Sequence, residues 1–263
     1  MGILFFSPFN SPQNLLYYFQ MRCAVLADIH SNLAALTAVL KDIEDKGGVD
    51  EVWCLGDIVG YGAEPHECIK LLREYNPVGV AGNHDLGAVG KLELSFFNPA
   101  AAEACSWTAE KLNPVDLRYL EDLAKTVQKG DFLLVHGSPS SPLLEYIISN
   151  SIAERNFAFF KTRYCLVGHT HVPQAFKQED NKIGSISLSS GIGLVLKKDR
   201  MIINPGSVGQ PRDGDPRASY AIYDSEGKIF RVYRIPYDIR ATQDKMMAAG
   251  LPISLVTRLE AGK

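Results

Sequence analysis

The chain is 263 residues long, enough for a substantial core in one large domain or two small ones. Its 46% hydrophobic and 22% charged residues are the mix of an ordinary soluble globular protein. A formal charge of −3 leaves no basic footprint for duplex nucleic acid, and no apolar run is long enough to span a bilayer. Five cysteines without a CxxC spacing argue against a disulfide framework. Cys23, Cys54 and Cys165 lie in apolar runs, where free thiols act as small hydrophobes, and this suits a reducing cytoplasm.

Residues 1–20 contain no Lys or Arg, and Pro8 and Pro12 interrupt their aromatic clusters. They lack the basic start, the long apolar stretch and the cleavage site of a secretory signal. The expected organisation is a dispensable extension over 1–20 and a single domain over 21–263. Residues 23–27 form an apolar run ending at Asp28, the pattern of a buried parallel strand. Leu33, Leu36, Leu40 and Ile43 then recur at helical spacing until Gly47-Gly48 stops them. A second strand over 52–55 delivers Gly56-Asp57, and Pro65 opens a helix through residue 75. A third strand over 78–81 ends at Gly82-Asn83-His84-Asp85. This β-α-β-α-β rhythm predicts a parallel sheet with the polar motifs at its carboxyl edge, where such sheets place ligands.

Residues 86–130 break the rhythm with two helices, about 99–112 and 114–125, and the aromatics Phe96, Phe97 and Trp107. This insertion reads equally as a helical cap beside a site and as extra core packing. Strands resume at 132–135 and 164–167, ending at His136 and Gly168. After Val172 come short strands at 174–177, 183–188, 194–196, 201–203, 219–223 and 229–235, which predict a second, more antiparallel sheet packed on the first. The tail from Ile239 reads as one or two helices split at Gly250-Leu251-Pro252.

Five of the six histidines fall in the segments Asp28-Ile29-His30, Gly82-Asn83-His84-Asp85, His136-Gly137 and Gly168-His169-Thr170-His171. With Gly56-Asp57, these segments bring imidazoles and oxygen ligands together from several strand ends, as a metal site requires. Singly each is weak. Asp28 and Asp85 also fit helix caps, Asp57 a strand end and His136 a core histidine. Their order and spacing together point to one dinuclear site. His66, the histidine left over, follows Pro65 at a helix start and reads as solvated.

The motifs DIH, GDIVGYG, GNHD, H and GHTH, in this order, resemble those of the calcineurin-like metallophosphoesterase superfamily. The resemblance covers residues 21–235 and extends to the loop NPGSVGQPR over 204–212. It implies an α/β fold of two face-to-face mixed β-sheets flanked by helices, a four-layer α-β-β-α sandwich. It implies one metal on Asp28, His30, Asp57 and His171, and a second on Asp57, Asn83, His136 and His169. Nitrogen and hard oxygen ligands suit two divalent or trivalent transition-metal ions such as Mn, Fe or Zn, with Ni or Co also accepted. Such a pair lowers the pKa of a bridging water and stabilises phosphoryl oxygens. The resemblance gives His84 the task of assisting the leaving group.

Departures from the protein Ser/Thr phosphatases of that superfamily narrow the reading. Gly60 stands where they have the Asp that pairs with the catalytic histidine, Tyr61 where they have a phosphate-gripping Arg, and Asp85 where they have Glu. Arg212 is the candidate replacement for the lost phosphate contact, and also fits a surface salt bridge. The expectation is a cytoplasmic two-metal hydrolase of a phosphodiester or nucleotide phosphoanhydride, with a small nucleotide-like phosphate ester as substrate. A phosphomonoesterase and a metal-bound binding module are the alternatives. Substrate choice depends on residues 86–130 and 204–217, and the sequence carries no signal for oligomeric state.

Overall fold

Residues 23–26 are buried on both sides of the strand they form, Cys23 and Val25 toward one apolar layer and Ala24 and Leu26 toward another. A strand of that kind belongs inside a covered sheet, and the rest of the fold is built around it. A computed structural model describes residues 21–180 and 182–263. The expected extension over 1–20 lies outside the described residues.

The first half runs β1 (Arg22–Leu26), α1 (Leu33–Asp45), β2 (Glu51–Cys54), α2 (Pro65–Arg73), β3 (Val78–Gly79) and α3 (Asn83–Ala88). Helices α4 (Pro99–Lys111) and α5 (Pro114–Glu121) follow, then β4 (Thr126–Lys129), β5 (Phe132–Val135), α6 (Asn150–Asn156) and β6 (Tyr164–Leu166). The second half contains β7 (Gln174–Glu179), β8 (Lys182–Ser187), β9 (Gly193–Val195), β10 (Arg200–Asn204), β11 (Ala218–Asp224) and β12 (Ile229–Ile235). Helices α7 (Ile239–Ala248) and α8 (Ile253–Ala261) end the chain, split at Gly250-Leu251-Pro252 as expected.

Two six-stranded sheets result, in the orders β3-β2-β1-β11-β12-β9 and β4-β5-β6-β10-β7-β8. In the first, β1, β2 and β3 pair in parallel, and β11, β12 and β9 add on antiparallel. In the second, β5, β6 and β10 are parallel, with antiparallel neighbours on both sides. Trp53, Leu55, Phe132, Tyr164 and Phe230 fill the layer between the sheets. Leu36, Leu40 and Ile43 of α1 and Ile69 and Leu72 of α2 cover the outer face of the first sheet. Phe157 and Ala153 cover that of the second. The four-layer sandwich expected from the resemblance is present.

One expectation is corrected. The strands after Val172 do not form a sheet of their own. β9, β11 and β12 complete the first sheet, and β7, β8 and β10 join β4 to β6 in the second. Strands β5 and β6, read as a resumption of the first sheet, belong to the second. Apolar alternation marks a strand but carries no information about its partner. Strand β4 and helix α6 were not anticipated, because Val127 is the one apolar residue of β4 and α6 spans only 7 residues. The five cysteines are free and buried. Among the described residues, no helix is long and apolar enough to cross a membrane.

Candidate metal centre

The parallel strands of both sheets end at one place, and the loops leaving them carry the histidine and carboxylate motifs. Asp28 and His30 follow β1, Asp57 follows β2, and Asn83 opens α3 just after β3. His136 follows β5, and His169 and His171 follow β6. All seven are buried. The turns are tight: Asp28, His30, Asp57, His169 and His171 adopt positive φ between 50° and 66°. Backbone hydrogen bonds past the strand ends hold the β1 and β2 loops together, from Asp28 N to Gly56 O (3.1 Å) and from His30 N to Asp57 O (3.0 Å).

Three imidazoles have their Nδ1 against a backbone carbonyl: His30 to Val59 O (3.1 Å), His136 to Leu55 O (2.8 Å) and His171 to Gln210 O (2.6 Å). A carbonyl can only accept, so Nδ1 carries the proton and Nε2 presents a lone pair inward. His30 Nε2 and His171 Nε2 then face each other at 3.1 Å. His171 Nε2 is also 3.5 Å from Asp28 Oδ1, and His30 Nε2 is 3.6 Å from Asp57 Oδ2. On the other side, His136 Nε2 faces Asn83 Oδ1 (3.0 Å), His169 Nδ1 (3.0 Å) and Asp57 Oδ2 (3.3 Å). Electron-pair donors thus converge on both sides of Asp57, whose Oδ2 lies near His30 Nε2 and His136 Nε2. Three groups of side chains could hold a metal ion: Asp28, His30 and His171; His30, Asp57 and His84; and Asp57, His136 and His169.

The electrostatics agree. Burial pushes His30, His169 and His171 well below the ordinary histidine range, keeping them neutral as ligands must be. Burial and the neighbouring Asp57 raise Asp28 to about 7, against the favourable influence of His136. Burial pushes the Asp57 carboxyl up, but His136, His84 and His30 outweigh it and hold it well below the carboxylate range. Burial pushes His136 down, and Asp57 and Asp28 more than reverse this, lifting it to about 9. Asp57 and Asp28 thus draw positive charge onto His136. The donor set of nitrogen and oxygen, without thiolate, fits transition-metal ions.

His84 lies beside this cluster, with its backbone N–H donating to Asp57 Oδ1 at 2.8 Å. Its ring packs edge-on against His30 and Phe97, both at 4.9 Å between centroids, and against Tyr61 at 4.3 Å. Among the described residues its Nδ1 has no hydrogen-bond partner. Gly60 supplies the reason for the close fit, since a Cβ there would meet His84 Nδ1 at 2.5 Å. The rings of His30, Tyr61 and Phe97 pack around this histidine on three sides. Burial takes it down to about 4. Phe97 belongs to the 86–130 segment, which divides between both expected roles: Phe97 touches the site, while Leu112 and Leu120 join the core.

Arg212 donates to Gln210 Oε1 (2.8 Å) and to the Tyr61 hydroxyl (3.3 Å). Among the described residues no carboxylate lies within ion-pair distance of it, so the salt-bridge alternative is not what forms. Two roles were not legible in the sequence. Asp85 accepts from the backbone N–H groups of Ile58, Val59 and Gly82 (2.9–3.1 Å), clamping the β2 loop to α3. Asn204 donates to Gly168 O (2.6 Å) and Ser207 to Asp28 O (2.8 Å), so the NPGS loop braces the ligand-bearing turns. His66 is far from the cluster and is corrected from solvated to half-exposed and bonded to Asp116 at 2.9 Å.

Comparison with known proteins accords with this geometry. The chain is 46% identical to a metallophosphoesterase from Sphaerobacter thermophilus of known structure, with a TM-score of 0.84 over 93% of this chain and 100% of that one. It is 38% identical to the MJ0912 protein of Methanocaldococcus jannaschii, over 91% of this chain and 98% of that protein. A shorter stretch of 74 residues, 27% of each chain, is 32% identical to the symmetrical bis(5′-nucleosyl)-tetraphosphatase of Actinobacillus pleuropneumoniae serotype 3. The family model for the calcineurin-like phosphoesterase superfamily domain matches residues 21–228. The chain therefore belongs to the calcineurin-like phosphoesterase superfamily and is a hydrolase of phosphate esters.

Proposed function

We propose that the protein is a two-metal phosphohydrolase acting on a phosphodiester or a nucleotide phosphoanhydride. The observation that carries this reading is Asp57 Oδ2, which stands 3.6 Å from His30 Nε2 and 3.3 Å from His136 Nε2 and so serves both donor groups. One ion takes Asp28, His30, Asp57 and His171, and the other takes Asp57, Asn83, His136 and His169. Mn, Fe or Zn suits these ligands, with Ni or Co also accepted. When bound, the ions supply Lewis acidity toward the phosphoryl oxygens and an activated water.

The chain's own residues do the rest. The water oxygen bonds to phosphorus, the bond from phosphorus to the leaving oxygen breaks, and that oxygen needs a proton or a hydrogen bond. His84, held by rings and tied through its backbone to Asp57, is the donor in reach. Arg212, without a carboxylate partner among the described residues, grips the non-bridging oxygens. The short match to a bis(5′-nucleosyl)-tetraphosphatase supports a nucleotide-like substrate. Five free, buried thiols suit the cytoplasm as the working compartment.

The test is to strip the protein of metal, reload it with Mn²⁺, and compare initial rates on an aryl phosphodiester and the matching monoester. Diester preference supports the proposal, and monoester preference makes the protein a phosphatase instead. Replacing His84 with Ala should abolish hydrolysis and leave metal content unchanged. Full activity in that variant removes His84 from the mechanism. Stoichiometric metal with no ester turnover makes the protein a binding module.

A further inference from the structure

Beside the metal centre a cavity of about 180 Å³ opens, floored by Asn83, His84 and His169 and walled by Phe96, Phe97 and Tyr146. We propose that this cavity is a subsite for a nucleobase carried on the substrate's phosphoryl group. The inference rests on the phosphohydrolase reading above and names the group that the substrate presents next to its phosphate.

Three observations carry it. The walls are aromatic where the floor is polar, and two of the rings are left uncovered. Phe96 is 62% exposed and Tyr146 43% exposed at the mouth of a site whose ligands are almost wholly buried. Uncovered rings rimming a polar floor are the make-up of a binding cleft. Two of the rings, Tyr146 and Phe97, are also fixed in place. Tyr146 stacks on His169 at 3.8 Å with 17° between planes, and Phe97 meets His84 edge-on at 4.9 Å and 89°. A platform ordered before the ligand arrives loses little entropy on binding.

Tyr146 is held from behind as well. Its neighbour Glu145 accepts hydrogen bonds from Ser138 Oγ (2.6 Å), Ser140 Oγ (2.7 Å) and Asn156 Nδ2 (2.7 Å). The third observation is size. Pockets that hold whole drug-sized ligands span roughly 300–1,000 Å³, so a cavity of about 180 Å³ suits a single ring system. The charge layout matches a nucleotide: phosphoryl oxygens against the imidazole floor and Arg212, and a flat, uncharged ring against the aromatic walls. Every base has a π-face, so such a platform selects nucleotides without reading sequence.

The test is calorimetric titration of the Mn²⁺-loaded full-length protein with two hydrolysis-resistant phosphonates, those of AMP and of ribose 5-phosphate, each with methylene in place of the ester oxygen. Stacking of one base predicts binding of the AMP analogue about tenfold or more tighter than that of the ribose analogue. Phe96→Ala and Tyr146→Ala should each shrink that ratio toward one, and Phe96→Ala should leave inorganic phosphate affinity unchanged. Tyr146→Phe, which keeps the ring, should preserve the ratio. Equal affinities in the wild type, or a ratio that survives both alanine variants, overturns the subsite and leaves the phosphohydrolase reading standing. Failure to bind inorganic phosphate together with no ester turnover removes that reading and the subsite with it.

Discussion

Asp28, His30, Ser31, Asp57, Tyr61, His169 and His171 all hold their backbones at φ between 50° and 66°, a region that costs a non-glycine residue of order 1–3 kcal/mol. Of the ten described non-glycine residues at positive φ, these seven lie in the turns around the candidate site, and the NPGS loop and Asp85 hold those turns closed. Gly60 occupies such a turn at φ 90° and is packed against the His84 ring. Gly60→Ala therefore combines backbone strain with displacement of His84. Gly90, at φ 72° with open space around it, isolates the strain alone. The expected outcome is that Gly90→Ala lowers thermal stability slightly and leaves kcat intact. Gly60→Ala should lower kcat by about 100-fold with normal metal content. Equal kcat in the two variants contradicts the steric orientation of His84. The seven ligand candidates were legible because imidazoles and carboxylates stand out beside glycine in short motifs. Tyr146 and Glu145 gave no such signal, since their roles arise from contacts with residues distant in the chain.

The loop between β5 and α6 shows how one half-buried acceptor, Glu145, organises an element. Burial pushes the Glu145 carboxyl up, but donors from Ser138, Asn156 and Ser140 outweigh it and hold its pKa below the ordinary value. Hydrogen bonds to a charged group contribute about 2 kcal/mol, and Glu145→Ala also strands polar partners such as the fully buried Asn156. A loss of about 2 kcal/mol at pH 7 is expected, read from urea midpoints. Because the folded pKa is depressed, this stabilisation is fully present above the unfolded value of about 4.3. It is lost as pH falls through the folded value. The gap between wild type and variant should stay constant from pH 8 to 6 and shrink at pH 3. A gap that widens in acid contradicts the assignment. The element pattern itself was largely readable: β5 and β12 fall on the expected residues, and most other strands and helices within one or two of them. Sheet membership was not. β11 pairs with β1 across some two hundred residues, Arg22 opposite Asp224, and nothing local to either strand encodes that choice.

At the scale of the molecule, the candidate metal centre lies at the seam between the sheets. Asp28, His30, Asp57 and Asn83 leave strands of the first sheet, while His136, His169 and His171 leave strands of the second. Each proposed ion therefore ties the two layers at their carboxyl edges, beyond the end of the apolar layer that Trp53 and Phe132 form. An ion present at a hundred times its dissociation constant contributes about 2.7 kcal/mol to the folded state. In a domain of this size that amounts to roughly 5–10 °C in Tm. Chelation should lower Tm by that amount, and Mn²⁺ should restore it. Asp57→Asn separates this effect from general ion binding. The amide keeps an oxygen for the His84 N–H but removes the charge that serves both ions. Its Tm should be indifferent to chelator and to Mn²⁺ alike. If Asp57→Asn responds to Mn²⁺ as the wild type does, Asp57 does not join the two ions. If the wild type ignores the chelator, no metal ion ties the sheets together, and the seam is held by its backbone hydrogen bonds and the apolar layer alone.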